Sequence, residues 1–290
     1  MNRGYAWART LLAGATLLTL LAERADTLFR PLGVEVAREV TDIPFMKVSL
    51  FTLLHGDHLE AARWIAIAIL ALTATGWRPR VTGVLHWYVT ASFAVSCVVV
   101  EGGDQAAAIL TLLLIPVTLL DGRGWHWSPP RAAGETATMV RGACRGLVRL
   151  QMAVIYFTAC TSKVAVPEWA NGTAVYYWSM HPIFGVEGWR RALLLPIVTN
   201  PVGVTCLTWG AMTIEAFLFM GLLMERRYRP VLFVVGTLFH AGIAAMHGLP
   251  SFSLVMVAGL ALYLLPWEGH LTASRPVWQT IFNNPAAVRS

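Results

Sequence analysis

Runs of about 20 mostly apolar residues recur along this chain, and charged residues are concentrated between them. The hydrocarbon core of a bilayer is about 30 Å thick, so a helix that rises about 1.5 Å per residue needs about 20 apolar residues to cross it. Only 13% of the residues are charged, against about 25% in soluble domains. The sequence therefore predicts an all-α fold, a polytopic membrane helix bundle in the lipid bilayer. About eight transmembrane helices are expected, near 5–22, 58–77, 82–100, 105–121, 146–163, 201–224, 229–247 and 250–267.

The arginines indicate how this bundle is oriented. If the N-terminus lies in the cytoplasm, an even number of spans returns the C-terminus to the same side. Most of the 22 Lys and Arg residues then lie at cytoplasmic helix ends or in cytoplasmic loops, as the positive-inside rule requires. We predict an N-in, C-in topology with an uncleaved first helix, a transmembrane domain over 1–267 and a cytoplasmic tail over 268–290. Because topology accounts for the net charge of +6, we expect no nucleic-acid partner.

The segment 151–177 joins an apolar helix to a stretch punctuated by Pro, Trp and Gly. Lys163 ends that helix, and Tyr156 and Cys160 share its face at helical spacing. The predicted topology places Lys163 at the outer end. Two interpretations remain open. Lys163 is an anchor that snorkels into the interface beside Trp169, or it is a partly desolvated amine that acts as a base or nucleophile.

Two further ionisable residues lie inside later spans. His240 is about seven residues, or ~11 Å, from the outer end of the seventh span, and Glu215 is about fourteen residues into the sixth. Ionisable side chains at such depths are costly and are functional candidates by default. Each also has a structural explanation: a neutral imidazole bonded to a neighbouring helix, and a carboxylate paired across the bundle, for example with an Arg or His.

Asp104 and His181 complete the set of candidates. Asp104 follows two glycines at the start of the fourth span, where it is a good N-cap residue. The topology places it at the same outer level as Lys163, and His181 lies in the long outer connection 164–200. These positions allow Asp104, Lys163, His240 and His181 to line one outward-facing cavity.

Motifs of several common enzyme classes are absent. The sequence contains no GxGxxG, Walker loop, HExxH, GxSxG or CxxC pattern, so nucleotide binding and zinc or serine hydrolase chemistry have no support. The four cysteines lack metal-ligand spacing, and most lie in apolar stretches. We interpret them as packing residues or free thiols and predict no metal site.

Several segments carry a family resemblance. YFTACTSK ahead of PEWANG resembles the YF-x-A-G-x-x-K and W-x-x-G signature of the HTTM family, named for a horizontally transferred transmembrane domain shared with vitamin K-dependent gamma-carboxylase. FH and FSLVM in the last two spans are similar to that family's His and Phe positions. RTLLAGATLLTLL, EGGD and LLIPVTLLDGRGWHW resemble the branch of sporulation-delaying protein B, bacterial membrane proteins encoded with small antimicrobial peptides and needed for their maturation or production.

The resemblance implies a role for Lys163. In the carboxylases the matching lysine is the base that deprotonates vitamin K hydroquinone on the lumenal side, which is topologically the outer face predicted here. It implies a membrane pocket with Lys163 as base and His240 as its partner, and it suggests a quinol as cofactor. This chain differs from the carboxylases at Cys160, where they have Gly, and at Ser162, where the first of their paired lysines stands. It also lacks their large lumenal domain, so glutamate carboxylation is not implied.

Three functional hypotheses follow. The first is a multi-pass protein of the bacterial inner membrane that acts in maturation or secretion of a small antimicrobial or toxin peptide. Quinol-linked chemistry at Lys163 and a companion membrane or periplasmic protein belong to this hypothesis. The second is a non-enzymatic membrane chaperone, transporter or immunity partner. The third is a quinone- or lipid-binding oxidoreductase with no peptide substrate, so whether the chain is an enzyme is open at this point.

Overall fold

The structure is a computed structural model that describes residues 4–29, 44–129, 134–182 and 185–267. Within these ranges the chain is helical, apart from turns and one isolated bridge between Trp77 and Trp125. The all-α prediction is confirmed, whereas the predicted tail 268–290 lies outside the described residues. Eight helices of 15 to 30 residues are numbered α1 to α8: Gly4–Ala22, Leu59–Thr75, Pro79–Ser96, Gly102–Leu119, Glu135–Val164, Pro201–Met220, Arg229–His247 and Pro250–Leu264.

Shorter helical segments lie in the two long connections. Between α1 and α2 they are Ala25–Leu28, Pro44–Val48, Leu50–Leu53 and Gly56–His58. Between α5 and α6 they are Pro167–Ala170, Ala174–Ser179 and Gly188–Val198. The Trp209 indole donates to Ala170 O (3.3 Å), and Val175 N donates to Thr208 Oγ1 (3.2 Å). These bonds hold the second connection against the first half of α6.

Among the described helices, five are long and apolar enough to cross a membrane: α1, α2 with the turn before it, α4, α6 and α7. The apolar helix α8 is shorter, at 15 residues. The other two long helices, α3 and α5, do not belong to this group because they contain more polar residues. Helix α3 contains Arg80 and His86, and α5 carries three arginines before its apolar half. Helix α5 therefore begins at Glu135, earlier than the predicted span 146–163, because arginines outside the apolar stretch are good helix formers.

Helix α8 lies at the centre of the bundle and packs against α1, α4, α5 and α7. Most of its residues are buried, as expected for a helix that is apolar on all sides. Gly259 permits a close approach to α5, because a Cβ at that position would lie 2.6 Å from Met152 Sδ. Helices α4, α5, α6, α7 and α8 thus surround one region of the interior, and the candidate site lies there.

Candidate functional site

A cavity of about 330 Å³ lies between helices α4 to α8. Most of its wall is apolar and comes from Ile, Phe, Met and Ala side chains. The polar side chains that reach it come from four helices, and they are Gln105, Gln151, Tyr156, Lys163, Glu215 and His240. An apolar cavity with a few convergent polar groups is the usual form of a small-molecule site.

The first polar pair in the cavity is formed by Lys163 and Glu215. The Lys163 ammonium lies 2.6 Å from Glu215 Oε1 and 2.8 Å from Oε2, and it also donates to Ala159 O at 3.2 Å. Its charge lies 5.1 Å from the centre of the Trp169 ring. The side chains are only 21% (Lys163) and 9% (Glu215) exposed. The sequence predicted a structural partner for Glu215 across the bundle, for example an Arg or His, and the structure identifies this partner as Lys163.

The second pair is formed by Tyr156 and His240. The Tyr156 hydroxyl lies 2.9 Å from His240 Nε2, and both residues are almost fully buried. Ser253 Oγ donates to the backbone oxygen of His240 at 2.7 Å, and the rings of Phe239 and Phe252 flank the imidazole. His240 Nδ1 is buried and has no hydrogen-bond partner among the described residues. That ring nitrogen is therefore available to a molecule in the cavity.

The periodicity of α5 explains why these side chains reach the same cavity. Gln151, Ile155, Ala159 and Lys163 are spaced by four residues and line one wall. Sequence reasoning overlooked Gln151 on this face and Gln105 on α4. For Gln151 the available signal was an amide in an otherwise apolar span, at helical spacing from Lys163, whereas Gln105 directly follows Asp104.

Four of the predicted residues do not line the cavity. Trp169 contacts it only through Lys163, whose ammonium lies 5.1 Å from the centre of the indole ring. Cys160 faces α6, where its Sγ lies 3.6 Å from Met212 O. Asp104 is not the N-cap of α4, contrary to the sequence prediction. The N-cap is Glu101, and Asp104 is three residues later, where its carboxylate accepts from Glu101 N at 3.1 Å. His181 lies in the connection after α5, with its ring 6.2 Å from that of Trp178.

Comparison with known proteins gives two further findings. The family model described as the HTTM domain matches residues 132–267, which contain α5 to α8 and therefore both polar pairs. Two proteins of Bacillus subtilis (strain 168) are similar over most of the chain. The uncharacterized protein YitO is 38% identical over 271 residues, covering 90% of this chain and 85% of YitO. The sporulation-delaying protein SdpB is 34% identical over 282 residues, covering 96% of this chain and 86% of SdpB. No solved structure matches.

Proposed function

The chain belongs to the HTTM family, in the branch of the sporulation-delaying protein SdpB, and from this we propose that it acts in the maturation or secretion of a small antimicrobial or toxin peptide. The peptide is the substrate class that the resemblance to this branch implies. A companion membrane or periplasmic protein would receive or present that peptide. The observation that carries the proposal is the convergence of the Lys163–Glu215 and Tyr156–His240 pairs on one cavity.

We place the chain in the bacterial inner membrane with eight spans and both termini in the cytoplasm. Each of the eight long helices overlaps one predicted span. Packing supports the assignment of the less apolar helix α3 as a span. This helix lies against α4, and the hydroxyls of Thr90 on α3 and Thr111 on α4 form a hydrogen bond of 3.0 Å. A polar side chain that is satisfied inside a bundle does not face lipid.

The Lys163–Glu215 pair can supply a base inside the cavity. Transfer of one proton within the pair converts the ammonium and carboxylate into a neutral amine and a carboxylic acid. The neutral amine of Lys163 is then able to accept a proton from a molecule in the cavity. The Tyr156 hydroxyl fixes the orientation of His240 through Nε2, which leaves Nδ1 to bind the same molecule.

The residues of the cavity fit a quinol. Its aromatic ring would contact the apolar walls, and Gln105, Gln151 and His240 could form hydrogen bonds with its oxygen atoms. The volume of about 330 Å³ is at the lower end of the range for ligand pockets, about 300–1,000 Å³. A bound quinol would supply two-electron redox chemistry, and Lys163 would be the base beside it. The same fit suits an oxidoreductase with no peptide substrate, which stays an alternative.

One observation favours a second candidate function, that of a non-enzymatic chaperone, transporter or immunity partner. The Lys163 ammonium has an acceptor for each of its three protons, in Ala159 O and the two carboxylate oxygens of Glu215. An amine satisfied in this way joins α5 to α6 without any reaction. In that case the pair stabilises the cavity, and the cavity holds peptide or lipid.

The experiment that separates these functions replaces Lys163 in the source bacterium and measures small secreted peptides by mass spectrometry. A strain without the gene identifies which peptides depend on this chain. Under the base mechanism, Lys163→Ala lowers the mature peptide by about 100-fold or more. Lys163→Arg lowers it similarly, because a guanidinium stays protonated. Tyr156→Phe gives a partial loss, because His240 then lacks its oriented hydrogen bond.

The matched control is Lys47→Ala, which removes an exposed lysine from the segment Pro44–Val48. Immunoblotting of membranes shows whether each variant accumulates to the same level. Undiminished peptide from Lys163→Ala, at equal protein level, would refute the catalytic role. Full activity of Lys163→Arg would instead assign the ion pair a structural role and favour the non-enzymatic function.

A further inference from the structure

A second polar group lies at the opposite end of α5 from the cavity. It consists of Arg145 and Arg149 on α5, Arg226 in the turn between α6 and α7, and Arg229 at the start of α7. We call these four residues the arginine cluster. Arg149 and Lys163 are separated by about 21 Å along the helix axis, so the cluster is distinct from the candidate site.

Two members of the cluster have contacts that explain their presence. Arg149 Nη2 donates to Leu222 O at 2.7 Å, and Arg229 Nε donates to Met224 O at 3.0 Å. Both oxygens belong to the turn that follows α6. Backbone carbonyls in a turn lack the regular partners that a helix provides and need other donors. Arg149 and Arg229 thus satisfy two carbonyls of this turn.

The other two members have no such explanation. Arg145 and Arg226 donate to no residue in the described part of the chain. The Nε atoms of Arg145 and Arg149 are buried and have no hydrogen-bond partner there either. A buried donor without an acceptor is costly and points to an acceptor that comes from another molecule.

The charges around the cluster lead to the same conclusion. The electrostatic neighbours of Arg145 are Arg149, Arg226 and Arg229, all of which are positive. Within the described ranges none of the four arginines forms an ion pair with a carboxylate. Glu225, the adjacent acid in the sequence, pairs with Arg227 at 3.0 Å and is exposed. Four neighbouring positive charges that no carboxylate of the described residues pairs with repel one another and favour a bound anion.

The start of α7 adds hydrogen-bond donors to this site. Helix α7 begins at Arg229, and its N-cap, Tyr228, provides no side-chain hydrogen bond to the first turn. Pro230 in this first turn has no N–H, so it contributes no donor. The remaining free N–H groups at the start of a helix, together with its dipole, favour binding of phosphate. Arginine is the side chain best suited to hold two oxygens of such a group, because its N–H groups form a rigid fork.

We propose that the arginine cluster binds a phosphate group, and that this phosphate belongs to the headgroup of an anionic phospholipid. Lipid is favoured over a soluble phosphate by the surface beside the cluster. Apolar side chains there are exposed, among them Leu150 (53%), Leu223 (78%) and Val231 (64%). A headgroup bound by the arginines would place its acyl chains along these residues. The proposal does not depend on the chemistry at Lys163.

The test uses the purified full-length chain in detergent and measures lipid binding by native mass spectrometry. Phosphatidylglycerol is compared with phosphatidylcholine of the same acyl chains. We expect the anionic lipid to bind at least about ten times more tightly. Arg145→Gln and Arg226→Gln should each weaken its binding by about tenfold, because each removes a charge-assisted hydrogen bond.

Arg227→Gln is the matched control, because it removes the same charge from the neighbouring residue, which is already paired with Glu225. We expect it to change the affinity less than about twofold. Arg226 is exposed, so its replacement keeps the test valid if Arg145→Gln fails to fold.

Three results would overturn the proposal. Equal affinity for phosphatidylglycerol and phosphatidylcholine would show that the chain does not select an anionic lipid. If Arg227→Gln weakened binding as much as Arg145→Gln, binding would depend on the overall positive charge of this surface and not on a specific site. Inorganic phosphate that displaces phosphatidylglycerol and stabilises the chain equally well would assign the site to a soluble phosphate rather than to lipid.

Discussion

Replacing Glu215 by Gln leaves the Lys163 ammonium in the cavity without its counter-charge. Removing one partner of a fully buried ion pair costs about 3–5 kcal/mol, because the remaining charge is desolvated and unpaired. The Lys163 side chain keeps 21% of its surface exposed, and it retains Ala159 O and the Trp169 ring as contacts. We therefore expect Glu215→Gln to lower the free energy of unfolding by less, about 2–3 kcal/mol.

The other two variants of a double-mutant cycle follow from the same argument. Lys163→Met leaves a carboxylate that can take up a proton and become neutral, so we expect a smaller loss of about 1–2 kcal/mol. The double variant has no uncompensated charge, and we expect it to be more stable than Glu215→Gln alone. The coupling free energy between the two positions is then about 1–3 kcal/mol.

The measurement is reversible unfolding in mixed micelles, followed by fluorescence of the 12 tryptophans. Glu168→Gln serves as the control, because it makes the same chemical change at an exposed residue of the neighbouring helix Pro167–Ala170. The reasoning is refuted if Glu215→Gln costs no more than Glu168→Gln. It is also refuted if the cost of the double variant equals the sum of the two single variants.

Two further predictions concern packing and pH. Gly83→Ala places a Cβ against the Thr118 side chain where α3 meets α4, so we expect a loss of about 1–3 kcal/mol in the free energy of unfolding, measured by the same unfolding assay. Thr118→Gly should relieve this clash, because it removes the Cβ of Thr118 together with its hydroxyl and methyl groups. His126 lies in the loop after α4, where burial and then the charge of Arg9 lower its pKa from 6.5 to about 3. The unfolded chain therefore takes up a proton below pH 6.5 while the folded chain stays neutral, so stability falls on acidification towards about pH 3, by up to about 1.4 kcal/mol per pH unit. His126→Gln removes this contribution, which melting temperatures between pH 7 and pH 4 would reveal.

Matched variants control for both predictions. Gly142→Ala changes a helical glycine of α5 that has open space around it, and it should be neutral or slightly stabilising. His58→Gln makes the same substitution at an exposed histidine and is the control for the pH profile. Equal stability of the two alanine variants would contradict the packing argument. Superimposable pH profiles of the original chain and His126→Gln would contradict the titration argument.

The sequence was sufficient to predict those features of the protein that depend on local patterns of residues. Runs of apolar residues indicated the membrane environment and the helical fold, because the length and period of a run are properties of one segment. The period of α5 also placed Tyr156 and Lys163 on the same side of that helix. The segment from YFTACTSK to PEWANG led to the HTTM family, which the match over 132–267 confirms. The family follows from short segments in a fixed order, so no packing information was needed.

Local patterns were less reliable at the ends of helices. Asp104 was expected to be the N-cap of α4, but the helix begins three residues earlier and Glu101 occupies that position. Both acids are favourable at the N-terminus of a helix, and the two glycines between them are compatible with more than one starting position for α4. The reciprocal hydrogen bonds between Glu101 and Asp104 select one register, and the sequence alone does not rank them.

The partners within the site were decided by tertiary structure alone. Lys163 and Glu215 are 52 residues apart, and Tyr156 and His240 are 84 residues apart. An apolar span specifies that a helix crosses the membrane but not which helix lies beside it, because lipid and protein cover an apolar surface almost equally well. Packing of α5 against α6 and around α8 brought the two pairs to one cavity. The same packing brought Arg145 and Arg226 together, with no counter-charge in the part of the chain that the structure describes.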